Sequence, residues 1–143
     1  MNYNTVIIGA GPAGIFTALE MLRKGSKQKI LIVEKGKAVE DRQCPKAKVG
    51  HCVSCKPYCH ITTGFSGAGA FSDGKLNTGT HDARIGFVLA EFAAHGAPEH
   101  ITYDAKPHIG TDVLVEVVQN LRREVIDRGG EVRFGHRVTG LST

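Results

Sequence analysis

Four thiols, a glycine-framed turn and one strand-terminal carboxylate carry most of the chemistry this sequence offers. In CPKAKVGHCVSCKPYCH, residues 44–60, Cys44, Cys52, Cys55 and Cys59 are all the cysteines of the chain. Four thiolates are the complement of a tetrahedral zinc site or an iron–sulfur cluster. Lys35, Lys37, Arg42, Lys46, Lys48 and Lys56 surround them, and nearby cations favour the thiolate form. The spacing, Cys-Pro at 44–45 and then Cys-x2-Cys-x3-Cys, is neither a paired zinc-knuckle arrangement nor the usual ferredoxin run. Two other readings therefore stay open: a redox disulfide between Cys52 and Cys55, which leaves two thiols over, and four inert thiols.

The second constellation is GAGPAG, Gly9, Ala10, Gly11, Pro12, Ala13 and Gly14. It follows an apolar run and opens a helical pattern, the context in which a GxGxxG match acquires meaning. Gly9 permits a tight turn, Gly11 lets backbone approach a pyrophosphate, and Gly14 allows close helix-to-strand packing; the helix N-terminus supplies free N–H groups and partial positive charge. Glu34 ends the next apolar run about 20 residues further on, where a carboxylate accepts hydrogen bonds from an adenosine ribose. An acid there repels a 2′-phosphate, which favours FAD or NAD over NADP. Lys35 follows it as a further cofactor neighbour.

FAD and NAD share the ADP half, so this fingerprint does not separate them. GFSGAGAFSDGKLNTG, residues 64–79, adds Gly64, Gly67, Gly69, Gly74 and Gly79, permitting a second close approach to a flat ring or a pyrophosphate. Lys75 would place a cation near the anionic edge of a reduced flavin. The alternative is a surface loop rich in turn residues. His108, in Lys106-Pro107-His108, is a candidate acid or base set against an ordinary packing or surface histidine. No HExxH pairing is present.

Continuous apolar runs at Tyr3 to Ile8 and Ile30 to Val33 predict strands of a parallel sheet, and the pattern between them predicts a helix stopped at Gly25. After an irregular stretch from Gly36 to Thr80, a helix is expected over Ala83 to His95. Another is capped by Thr111, with Leu114, Val117, Val118, Leu121 and Val125 as its apolar stripe. Strands at Glu131 to Phe134 and Arg137 to Leu141 are expected to close the chain. With 143 residues the chain is about one domain, able to bury a core without disulfides. No apolar run approaches the ~18 residues of a membrane span. The net charge of +4 reads as a solvated face and not as a nucleic-acid footprint. These features suggest a cytoplasmic protein, since disulfides rarely persist there.

The stretches IIGAGPAGIFTALEML with Glu34, GFSGAGAFSDGKLN, KPHIGTDVL and GGEVRFGHRVTGL together resemble the N-terminal part of the bacterial FAD-dependent dehydrogenases of the NAD(P)/FAD-dependent oxidoreductase superfamily. The resemblance implies a Rossmann-like, three-layer α/β fold that binds FAD or NAD(P), here incomplete, with residues 1–143 as the N-terminal part and a Cys-rich irregular insertion at 42–61. It implies FAD as cofactor, a backbone contact to adenine at Val138, and hydride or electron-pair transfer through the flavin. NAD(P)H would be an electron partner in a full-length enzyme. Related disulfide-reducing flavoenzymes place their redox pair shortly after the second strand, where the cysteines fall. The later glycine–aspartate motif of the superfamily has no counterpart here, so a piece of a longer enzyme or a short relative is expected, with weak flavin retention and a sheet edge at the first strand open to self-association. A dinucleotide-binding module without catalysis and a metal-linked electron-transfer segment are the alternative functions; the substrate or redox partner is not specified.

Overall fold

The computed structural model describes residues 2–76 and 81–142; Gly79, in the second glycine stretch, lies outside them. Strand β1, Thr5–Ile8, leads into helix α1, Pro12–Arg23, and strand β2, Ile30–Val33. A short helix α2, Lys46–Val49, interrupts the Cys-rich segment. Helices α3, Arg84–Ala94, and α4, Thr111–Asp127, precede strand β3, Glu131–Arg133.

The three strands form one parallel sheet in the order β1-β2-β3, with Ile7 beside Ile32 and Ile32 beside Val132. Alternation along the strands sends Ile7, Ile32 and Val132 to one face, where they join the core with Ile15, Leu19 and Leu22 of α1. From α4 come Leu114, Val117, Val118, Leu121 and Val125, all buried, which is the stripe its 3.6-residue period predicts. Helices α1 and α4 pack on each other and on the strands. Helix α3 reaches this layer through Phe87 and Phe92, whose rings lie 6.2 and 6.1 Å from that of Phe16.

The structure differs from the sequence expectations in three places. Two layers are seen among the described residues in place of three: on the face away from α1 and α4, Val6 and Ile8 remain exposed. Part of that face is crossed by Tyr3, whose hydroxyl donates to Glu131 Oε2 at 2.5 Å and accepts from Arg133 at 2.6 Å. β1 begins at Thr5 and not at Tyr3, whose side chain bridges to β3. Residues 137–141 form no strand; they have no ladder partner, and Leu141 is exposed. No described helix is long and apolar enough to cross a membrane.

Candidate functional site

The carboxyl ends of β1 and β2 and the start of α1 meet at the GAGPAG turn. Gly9 has φ +100°, which a side chain rarely adopts, and its N–H donates to the Val33 carbonyl at 2.8 Å. At Gly14 a Cβ would come within 2.1 Å of the Gly9 carbonyl oxygen, so only glycine lets the helix lie this close to the turn. A Cβ at Gly11 would meet nothing within 4 Å; the space in front of it is open. Gly11 caps α1 without a side-chain hydrogen bond, Pro12 starts the helix, and the first turn carries no acidic residue. The N–H groups of Ala13 and Gly14 are among those a helix leaves without an intrahelical partner, and they sit at its positive end.

Glu34 is buried at 6% exposure and locks this turn in place. Its Oε2 accepts from the Ala10 N–H at 2.9 Å and its Oε1 from the Gly36 N–H at 2.8 Å. The sequence reading puts this carboxylate on a ribose; in the structure it holds the glycine turn against the loop that follows β2. Each carboxylate oxygen retains a lone pair, so the two roles are compatible.

The second glycine stretch is docked on the first. The Ser66 N–H donates to the Ala10 carbonyl at 2.7 Å, and a Cβ on Gly67 would lie 3.7 Å from Gly11 Cα. Arg42, 2% exposed, folds this loop. Its guanidinium donates to the carbonyls of His60, Ile61, Phe65 and Gly67 at 2.5 to 2.9 Å and stacks 4.4 Å from the Phe71 ring centre. Burial lowers its pKa, while the Glu34 carboxylate acts in the opposite direction. In the sequence Arg42 groups with the neighbouring lysines as surface charge. Nothing local marks it, because its acceptors are backbone carbonyls up to 25 residues away.

Two clefts flank the turn. On the strand side Gly9, Glu34, Lys35 and Val138 line one cleft with Ile8 and Arg137. On the other side Pro12, Ile15, Phe16, Gly69, Lys75 and Leu114 line an apolar cleft. Gly9, Glu34, Lys35 and Val138 thus line one space and Pro12, Gly69 and Lys75 the other, while Gly11, Ala13, Gly14 and Gly67 line neither. Lys75 is paired with Asp73 at 2.8 Å, which raises its pKa. His108 and Lys75 face each other across an antiparallel bridge. The His108 Nε2 lies 2.7 Å from the Asp73 carbonyl oxygen, to which it must donate. His108 therefore pins residues 73–76 to 107–109, and its ring does not line the apolar cleft.

The cysteines do not form the expected metal set. All four thiols are free, Cys52 and Cys59 exposed, Cys44 and Cys55 half-buried. Among the described residues no three of them bring ligand atoms within 4.8 Å of one another. Helix α2 carries the chain away after Cys44, and Arg42 draws His60 and Ile61 toward the glycine loop. The residues do not fit zinc or a cluster in this arrangement. Cys59 is distinguished otherwise: the N–H groups of Thr62 and Ile61 lower its pKa, helped by the Thr62 hydroxyl and the Arg42 charge.

The group that does meet that 4.8 Å spacing is Glu91, His95 and Glu124, one ligand atom each, a set of the kind that holds a metal ion. Glu91 and His95 stand four residues apart at the end of α3, a spacing the sequence shows, and Glu124 joins them from α4, 29 residues beyond His95. Arg23 of α1 already lies between the carboxylates, 2.7 Å from Glu91 and 2.7 Å from Glu124, and Arg128 adds a contact to Glu124 at 2.6 Å. Two arginines balance the two carboxylates, so a metal ion would have to displace one of them.

No family model matches the chain. An uncharacterized protein of Clostridium beijerinckii is 43% identical over 137 residues, 96% of this chain and 25% of that protein. The chain thus spans about a quarter of the length of the curated relative it matches. The crystal structure of Thermovibrio ammonificans THI4 is similar over 93% of this chain and 38% of that one, with a TM-score of 0.51 and 17% identity. The fold is Rossmann-like. That likeness concerns the fold alone; the parallel sheet and the glycine turn at its carboxyl edge agree with it.

Proposed function

We propose that the chain is the dinucleotide-binding portion of a flavin-dependent oxidoreductase and holds the ADP half of FAD. In this reading the pyrophosphate lies at Gly9, Gly11 and Gly14, with Pro12 and Ala13 in the first turn. The ribose meets Glu34, and the adenine lies beside Lys35 and Val138. The observation that carries it is the placement of the GAGPAG turn between two clefts. The one that holds Glu34 and Val138 is the more polar of the two; the other, which holds Gly69 and Lys75, is largely apolar. An adenine dinucleotide has this form, a ribose end and a flat ring joined through a pyrophosphate. Open space at Gly11 beside the close approach of Gly67 suits a phosphate contacted by backbone alone.

FAD supplies the redox chemistry when bound, accepting or passing a hydride or electron pair at its ring. The chain's part is to orient it. Gly67 and Gly69 would let backbone lie against the ring, and Lys75, its ammonium paired with Asp73, lines the same cleft. The test is titration of the purified chain with FAD, followed by flavin fluorescence, with ADP as competitor. Saturable quenching that ADP reverses, and that Gly11→Val abolishes while the circular dichroism spectrum is kept, is the expected result. Binding of FAD that ADP does not displace and Gly11→Val does not weaken would overturn the reading.

A further inference from the structure

A second, wider cleft opens beside the strand-side one, and the dinucleotide reading makes no use of it. It lies between the loop after β2, the end of the Cys-rich segment and the loop after β3. Lys35 and Arg137 line both clefts, so the two are contiguous. Lys37 adds a third cation, Asp41 is its lone carboxylate, and Tyr58 and His60 form the opposite wall. Lys35, Lys37 and Arg137 form no ion pair among the described residues, whereas Arg23, Arg84, Arg122, Arg128 and Arg133 all do. The ammonium of Lys35 is held 5.0 Å over the Tyr58 ring, a contact that orients a cation without neutralising it. Glu34, the acid nearest this charge in sequence, has both oxygens turned to backbone N–H groups.

We propose that this cleft is a binding site for a phosphomonoester dianion, built from Lys35, Lys37 and Arg137. Three unpaired cations around one concavity focus a positive field, and a dianion with three acceptor oxygens is the ligand that uses it. The ester has two possible sources, a phosphate on the ribose of a nucleotide in the adjoining cleft or a separate small phosphorylated molecule. The first of these keeps the nucleotide at the glycine turn but requires one other than FAD, whose adenosine ribose carries no phosphate ester; Glu34, held by the Ala10 and Gly36 N–H groups, would then face the ribose and the three cations its phosphate.

Calorimetry on the full chain at fixed ionic strength separates the possibilities, with adenosine 5′-monophosphate, its 2′,5′- and 3′,5′-bisphosphates, and inorganic phosphate as probes. Lys37 and Arg137 are exposed, so Lys37→Gln and Arg137→Gln should leave folding intact. If the ribose carries the ester, one bisphosphate binds on the order of tenfold tighter than the monophosphate, and either variant removes that gain. If the ligand is separate, inorganic phosphate binds with the same dependence on both variants, whether or not the monophosphate is present. Equal affinity for the monophosphate and both bisphosphates, with no variant-sensitive binding of phosphate, overturns the proposal and leaves the dinucleotide reading standing. Variant-sensitive binding of phosphate, with adenosine monophosphate binding lost in the same two variants, supports the cleft and counts against the dinucleotide reading. Absence of binding by every probe counts against both.

Discussion

The two ends of helix α1 handle charge in opposite ways. At its C-terminal end Arg23 is saturated by Glu91 of α3 and Glu124 of α4, with His95 and Arg128, the residues that end those two helices, also on Glu124. At its N-terminal end no side chain caps the helix, no acid lies in the first turn, and the space before Gly11 is open. Paired charges join helices and need no ligand, whereas N–H groups left exposed at a tightly fixed turn are available to an external anion. The same contrast separates Arg42, consumed by four carbonyls, from Lys35, Lys37 and Arg137, which have no carboxylate partner among the described residues. Arg23 and Arg42 are structural charges, whereas Lys35, Lys37 and Arg137 line one cleft past the carboxyl ends of β2 and β3.

The largest effect should come from the turn that keeps the open end rigid. Gly14→Val forces a Cβ into the Gly9 carbonyl and should cost about 3 kcal/mol by urea denaturation, or prevent folding. Gly11→Ala, at a site with free space and φ −76°, should change stability by less than about 0.5 kcal/mol. It should weaken ADP binding on the order of tenfold. Equal stability losses in the two variants would erase the distinction between packing glycine and ligand glycine.

Next is Glu34, which belongs to both kinds of region. Glu34→Ala strands the buried Ala10 and Gly36 N–H groups and should cost about 2 kcal/mol. It therefore weakens ADP binding partly by loosening the turn, which corrects the simpler view of Glu34 as a ribose ligand alone. A melting temperature unchanged from wild type would return it to that role.

At the saturated end, Arg23 above all, then Arg128 and His95, hold the Glu124 carboxyl at about 2 against an ordinary 4.5. A depressed carboxyl contributes stability that is complete above its unfolded value and is lost as pH falls from about 4.5 through about 2. Arg23→Met should cost on the order of 1–2 kcal/mol at neutral pH and flatten this part of the acid unfolding curve. A variant with the same acid limb as wild type would show that the cluster contributes little.

The smallest effect concerns Cys59, whose thiolate is favoured by backbone N–H groups of the kind that would meet a phosphate at α1. Mass-resolved alkylation at neutral pH should label Cys59 before Cys52, although both are exposed. Equal labelling rates would remove the distinction.

The sequence by itself determined the strand, helix and strand of residues 5–33, the glycine turn, and the buried stripe of α4, because each follows from local sterics or from one repeating period. It also marked GFSGAG and KPHIG, though not that Ser66 would dock on Ala10 or that Gly74 would pack on Ile109. Tertiary structure alone decided the fate of the irregular region. Arg42 became buried, the cysteines stayed apart, and residues 137–141 remained without a ladder partner. The physical reason is range: a helix or a glycine turn is fixed by neighbours a few residues away. A buried guanidinium, a thiol cluster or an added strand depends on partners that only the folded chain brings within reach.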